Sequence, residues 1–273
     1  MLLPQLAPEH AQIDIGTVII HIARWRADAP PLLLLPAMTQ TWVDWLAVVP
    51  ALAACFDVVA MDQRGHGESD HRATTYQVRD YATDAHALTA ALGWTGAMRP
   101  AVIGHSLGGT VAQYTEAAYH GWARRIAIED SPLQLDHHDR RAALLAKAYL
   151  RMYARPLSEM EAHFRRVHPE WTETQVHAAA LASRATAPAV LHEYLAHRPM
   201  TLDETLRGMH CPVLLVYGDE ASGGFVSDAD VAVYLRELPD ARAVQIPGAG
   251  HSLHARKPAE FIAAVLPFLQ AGM

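Results

Sequence analysis

The chain has little cysteine, no run of basic residues and no apolar stretch long enough to cross a bilayer. Cys55 and Cys211 are too few for a disulfide framework, and both lie beside apolar stretches, so they read as buried reduced thiols. The longest apolar runs, residues 30–38 and 45–56, fall short of the roughly 20 residues that a membrane span requires. Met1-Leu2-Leu3-Pro4 has neither the basic start nor the long apolar core of a secretion signal. A net charge of −7 and a pI near 6.2 disfavour nucleic acid and anionic membrane surfaces, and no glycine-rich phosphate loop opposes that reading. Internal repeats and low-complexity tracts are missing as well. These absences lead us to expect a soluble, cytoplasmic protein whose partner is a small molecule, with neither nucleic acid nor membrane involved.

What is present is apolar and periodic. The chain has 273 residues, 51% of them hydrophobic, enough for one large α/β domain or two smaller ones. Residues 11–14 and 17–25 alternate around Gly16, as in a hairpin. Short aliphatic runs at 32–35, 58–61, 101–103, 125–128 and 213–217 predict strands buried on both faces, and 243–246 adds another. Helical spacing falls between them, at 45–53, 76–92, just after Ser106, 228–238 and 258–269. Alternating strands and helices predict a mostly parallel sheet with helices on both faces. Chemistry in such sheets gathers at the carboxyl ends of strands, here near Met38, Ser106, Asp130, Asp219 and His251.

The strand rhythm stops over residues 132–206, a segment rich in Ala, Arg, His and Glu and broken at Pro156, Pro169, Pro188 and Pro199. A connection this long between two strands predicts a helical cap, inserted into a core formed by 1–131 and 207–273. Within it, Asp136-His137-His138-Asp139 reads as a solvated entrance and not a metal site, because adjacent residues point apart on any regular element. Asp62, Arg64, Gly65 and Gly67 read as braces of a loop near the crevice. Trp42 and Trp45 are placed either at a pocket wall or in the core.

The run Gly104-His105-Ser106-Leu107-Gly108-Gly109 joins a predicted strand to a predicted helix. Such a turn strains its middle residue and leaves no room for a Cβ on the flanking glycines. It lifts the Ser106 hydroxyl to a helix N-terminus, where the dipole favours developing negative charge. A serine needs a base and a carboxylate to orient that base. His251, after Pro247-Gly248-Ala249-Gly250, stands at a strand end in the order Ser, acid, His.

These motifs, together with Asp62-Gln63-Arg64-Gly65-His66-Gly67-Glu68-Ser69, resemble those of the α/β-hydrolase superfamily. The resemblance implies a mostly parallel eight-stranded sheet with helices on both faces, a helical cap insertion, and no metal or organic cofactor. It implies Ser106 as nucleophile, His251 as base, and an oxyanion hole of the Met38 and Leu107 backbone N–H groups. Most of the family has His-Gly where this chain has Pro36-Ala37. Many relatives carry the acid two residues beyond the Gly-Asp that ends the penultimate strand, where this chain has Ala221. The chain resembles a subgroup with its acid one strand earlier, which makes Asp130 the expected acid, ahead of Asp219, then Glu129 or Glu220. Trp42 and His105 are expected near substrate. Serine at 106 separates the chain from the haloalkane dehalogenases and epoxide hydrolases, which resemble this fold but use an aspartate nucleophile.

The expected activity is therefore hydrolysis of a carboxylic ester or lactone through an acyl-enzyme. Three alternatives stay open: a carbon–carbon hydrolase of vinylogous diketones, acyl transfer or cyclisation in a biosynthetic pathway, and a non-catalytic ligand-binding relative. The first would be favoured by cap arginines such as Arg151 or Arg165 reaching the pocket. Monomer and homodimer are both compatible with the sequence.

Overall fold

The computed structural model of the chain describes residues 7–131, 151, 155–167, 169, 171–196 and 202–272. The 136–139 quartet lies outside them. Eight strands form one sheet in the order β1-β2-β4-β3-β5-β6-β7-β8. They are β1 (Glu9–Asp14), β2 (Ile19–Trp25), β3 (Pro31–Leu35), β4 (Asp57–Met61), β5 (Ala101–His105), β6 (Arg125–Glu129), β7 (Val213–Gly218) and β8 (Ala241–Ile246). β2 pairs antiparallel with β1 and β4, and every pairing from β4 through β3 to β8 is parallel. The expected sheet is thus observed, with the hairpin at Gly16 supplying its antiparallel edge.

The continuous aliphatic runs have a simple cause. Successive residues of a strand point to opposite faces, and both faces here are covered. Leu33, Leu35, Val59, Met61, Val102, Ile126, Ile128 and Leu215 enter one core, together with Leu107 and Val111 of the helix Leu107–Ala118. Leu32, Leu34, Val58, Ala60, Ile103, Ala127, Leu214 and Val216 enter the other, against Trp45, Leu52, Phe261 and Val265. Each central strand residue therefore excludes water on its own side, at about 25 cal/mol per Å² of apolar area removed.

The helices of the core are α1 (Val49–Ala53), α2 (Val78–Ala91), α3 (Leu107–Ala118), α8 (Asp228–Glu237), α9 (Leu253–Arg256) and α10 (Pro258–Gln270), with a 3₁₀ turn over Trp42–Ala47. Between β6 and β7 the described residues form α4 (Leu157–Val167), α5 (Glu173–Arg184), α6 (Pro188–Ala196) and α7 (Leu202–Arg207). No helix among the described residues is long and apolar enough to cross a membrane. α6 is tied to the core: the Ala187 N–H, just before it, donates to the Gly65 carbonyl at 2.7 Å, and Glu193 accepts from the Tyr76 N–H at 2.8 Å.

The loop after β4 is braced as its residue types suggest. Asp62 accepts hydrogen bonds from the backbone N–H groups of Trp42 at 2.9 Å and Glu68 at 3.1 Å, and lies 2.8 Å from His21 Nδ1. Arg64 forms a bidentate pair with Asp84 of α2 at 2.5 and 2.6 Å, and also donates to the Thr75 carbonyl. His66 is fully buried, 3.0 Å from the Arg64 carbonyl, and burial pulls its pKa down to about 4.

Asp84→Ala leaves the Arg64 guanidinium buried without its carboxylate. It is expected to cost about 3–5 kcal/mol in urea unfolding. For His66, the unfolded chain takes up a proton near pH 6.5, whereas the folded chain resists it down to about 4. Stability is therefore expected to fall as pH drops through that window. The loss should be smaller in His66→Gln, measured as the urea midpoint between pH 7 and about 4.

Candidate active site

β5 and α3 are separated by a single residue, Ser106, at φ 51° and ψ −114°. A Cβ on Gly104 would stand 2.4 Å from the Gly108 carbonyl oxygen, and one on Gly108 would stand 2.0 Å from that of Leu35. Only glycine at both positions lets α3 start directly against β3 and β5. The Ser106 N–H donates to the Glu129 carbonyl at 2.9 Å, and the Ser131 hydroxyl donates to the Ser106 carbonyl at 2.8 Å. The turn is thereby held from the neighbouring strand end, with Ser106 itself partly exposed.

Strained backbone gathers at this end of the sheet. Among the described residues, the non-glycine residues with positive φ are Thr39 at 68°, Ser106 at 51° and Asp130 at 41°. They follow β3, β5 and β6. Side chains disfavour this region by about 1–3 kcal/mol, and it persists where surrounding contacts over-determine it.

Asp130 is completely buried. Its Oδ1 accepts from the Gly218 N–H at 3.3 Å, and its Oδ2 accepts from the Phe225 N–H at 2.8 Å. The same Oδ2 lies 2.7 Å from His251 Nδ1. An ionised carboxylate can only accept, so Nδ1 carries the proton of a neutral His251 and Nε2 keeps the lone pair. The His251 ring lies 4.0 Å from that of Phe225 and 4.7 Å from that of His105, the residue preceding Ser106. His251 and the buried Asp130 carboxylate thus meet beside His105, the residue before Ser106.

The other carboxylates have different attachments. Asp219 accepts from the Ser222 N–H at 2.8 Å and the Gly248 N–H at 2.6 Å, bracing two loops, and these bonds hold its pKa below the usual value. Glu129 is buried against His254, 2.8 Å from its Nδ1 through each carboxylate oxygen. Met38 lies in the turn after β3, and Leu107 opens α3. The Trp42 ring meets His10 at 4.9 Å and Trp25 at 6.1 Å, and these contacts place it beside β1 and β2. Trp45 is fully buried in the core. His105 is fully buried too, with Nδ1 3.0 Å from the Gln40 carboxamide and Nε2 2.9 Å from the His251 carbonyl. Arg165 is committed at the surface to Glu173, at 2.9 and 2.6 Å, and Arg151 is exposed.

Among the described residues, His105, Glu129 and His254 bring three metal-ligating atoms within 4.8 Å of one another. Glu129 is bound to His254 Nδ1 through both oxygens and to the His254 N–H, and the His105 ring nitrogens face Gln40 and the His251 carbonyl, so the cluster reads as an ion-pair network. The sequence reading missed it, as it missed Phe225 and Gln40. The available signal was His254 three residues beyond His251, and Glu129 immediately before Asp130.

Comparison with known proteins agrees with this fold. A family model described as "Alpha/beta hydrolase family" matches residues 32–264. The 2-(acetamidomethylene)succinate hydrolase of Mesorhizobium japonicum is 26% identical over 95% of this chain and 95% of its own length. A soluble epoxide hydrolase of Corynebacterium sp. is 44% identical over a shorter stretch, 37% of this chain and 34% of that protein. The crystal structure of E-2-(acetamidomethylene)succinate hydrolase superposes with a TM-score of 0.80 at 24% identity, over 97% of this chain and 100% of that one. A match spanning β3 to α10, on an eight-stranded sheet of this order, leaves one conclusion: the chain belongs to the alpha/beta hydrolase family.

Proposed function

We propose that this hydrolase cleaves a carboxylic ester or lactone through an acyl-enzyme on Ser106, with His251 as base and Asp130 as the acid that orients it. The observation that carries the reading is the 2.7 Å contact between His251 Nδ1 and the buried Asp130 carboxylate, beside a serine held at positive φ. His251 Nε2 takes the Ser106 proton as Oγ attacks the carbonyl carbon, and the imidazolium gives that proton to the leaving alcohol. Water, deprotonated by the same nitrogen, then attacks the acyl-enzyme and frees Ser106. The Asp130 carboxylate faces His251 Nδ1 throughout, offsetting the charge that develops on the imidazole.

The oxyanion is assigned to the backbone N–H groups of Leu107 and Met38. The first N–H of α3 has no partner within its own helix, and it is available to the oxygen on which charge develops. On the β3 side, the positive φ of Thr39 and the Ala37–Gln40 contacts shape the turn that carries Met38. His105 acts from below, on His251, and Trp42 shapes the wall beside β2. Helices α4 to α6 belong to the cap assigned over the crevice, and the substrate is a small molecule.

A second reading is favoured by one observation. The relative that aligns over 95% of both chains is named for a substrate with an acetamido group. An acyl–nitrogen bond would use the same steps, with His251 protonating a departing nitrogen instead of an alcohol oxygen. Arg165, held by Glu173, lends no support to the carbon–carbon reading, which asks for a free cap arginine.

The test is turnover of p-nitrophenyl esters, lactones and an N-acetyl enamine by the wild type, Ser106→Ala, Asp130→Asn and Asp219→Asn. Ser106→Ala and Asp130→Asn are expected to lose a factor on the order of a thousand or more in kcat. Asp219→Asn should stay within a few-fold of wild type, because its carboxylate only braces loops. A dead Asp219→Asn beside an active Asp130→Asn would move the acid to the later loop. The ratio of ester to acyl–nitrogen turnover decides between the two substrate classes.

A further inference from the structure

Each residue assigned to the reaction has a chain neighbour in one buried cluster. His105 precedes Ser106, Glu129 precedes Asp130, and His254 lies one turn beyond His251. In the parallel pairing of β5 with β6, His105 stands directly opposite Glu129. All three are at most 1% exposed.

The bonds run in one direction, toward the loop that carries His251. Glu129 Oε1 accepts from the His254 backbone N–H at 2.9 Å, at the start of α9. Both oxygens also lie 2.8 Å from His254 Nδ1. A carboxylate at the first turn of a helix, bonded to one residue through backbone and ring, fixes where that helix begins. The His254 ring is in turn packed between Trp45, at 4.5 Å, and Phe261, at 6.1 Å. His105 meets the same ring edge-on at 5.1 Å, and its Nε2 is 2.9 Å from the His251 carbonyl. The base is therefore gripped at two points of its loop: at its own carbonyl by His105, and three residues later by Glu129.

Charge fits the geometry. Against its burial, the facing His254 ring and N–H keep the Glu129 carboxyl down at about 2. Glu129, with Asp44 nearby, raises His254. Burial drives His105 to about 3, so it is neutral. Both ring nitrogens face oxygens, Gln40 Oε1 and the His251 carbonyl, and the one proton of the neutral ring serves either of them.

We propose that Glu129, His254 and His105 form a positioning network that holds His251 at the height where its Nε2 meets Ser106. Glu129 is the anchor of this network. It touches no reacting atom and acts through His254 and the backbone of residues 251–254. This inference rests on the serine-hydrolase reading of the site.

The test compares wild type, Glu129→Gln, His254→Gln and the double variant in kcat, KM, thermal midpoint and the downfield proton NMR signal of the His251–Asp130 hydrogen bond. Glu129→Gln is expected to lower kcat about 10- to 100-fold, to leave KM within about twofold, and to shift or broaden that signal. The single variants strand one charge in the core and should lower the thermal midpoint. The double variant removes both charges, so it should regain much of that midpoint while kcat stays low. Wild-type kcat and an unmoved proton signal in a folded Glu129→Gln would overturn the proposal. So would recovery of kcat together with stability in the double variant, which would make the pair a folding element only. Ser106→Ala, run alongside, separates the two failures. If it keeps its activity, the serine reading falls; if it is dead while Glu129→Gln is unimpaired, only the network falls.

Discussion

A carboxylate with no access to water must be given partners by the protein, and much of this site follows from that constraint at Asp130. Its oxygens are supplied by the N–H groups of Gly218 and Phe225 and by the ring of His251. The first two come from β7 and the loop after it, the third from the loop after β8. One buried charge thus draws together the ends of β6, β7 and β8. The positive φ of Asp130 is the local cost of aiming its carboxylate there. Ser106 reaches the same place from β5, and its carbonyl is bonded by Ser131, the residue after Asp130. Ser106 and Asp130 are therefore registered to each other across the parallel pairing of β5 with β6.

Much of the fold was legible because the strands are buried on both faces. Leu32 to Leu35 and Val58 to Met61 read as unbroken aliphatic runs, and each proved to feed two cores alternately. Strand and helix ends moved by a few residues, since terminal residues such as Glu9 and Ala241 carry little apolar signal. The turn at Ser106 was legible because its glycines have a steric cause that can be read from residue type. Asp130 was reached through resemblance to a subgroup; what a single sequence lacked was the fact that Asp219 is occupied by Ser222 and Gly248.

The Glu129–His254 pair was hidden for a different reason. An ion pair 125 residues apart leaves no periodic trace, and Glu129 read only as a lower-ranked candidate for the acid. Trp42 shows the same limit: its spacing suited either a pocket wall or the core, and only the ring contacts with His10 and Trp25 locate it. Periodicity reports which face of an element is dry. Where a polar side chain finds its partner is decided by the sheet order.

The two outer strands of the sheet carry a consequence of their own. An open sheet ends in rows of unpaired backbone groups, which other chains can extend. β1 is six residues long and bears Glu9, His10, Gln12 and Asp14, most of them exposed, so a second copy laid alongside would bring like charges together. β8, at the opposite edge, carries Arg242 and Gln245 beside the exposed Val244. The charged hairpin strand thus gives the molecule a blunt edge on one side. Strand-by-strand aggregation has an easier start at β8, where a single apolar residue faces solvent.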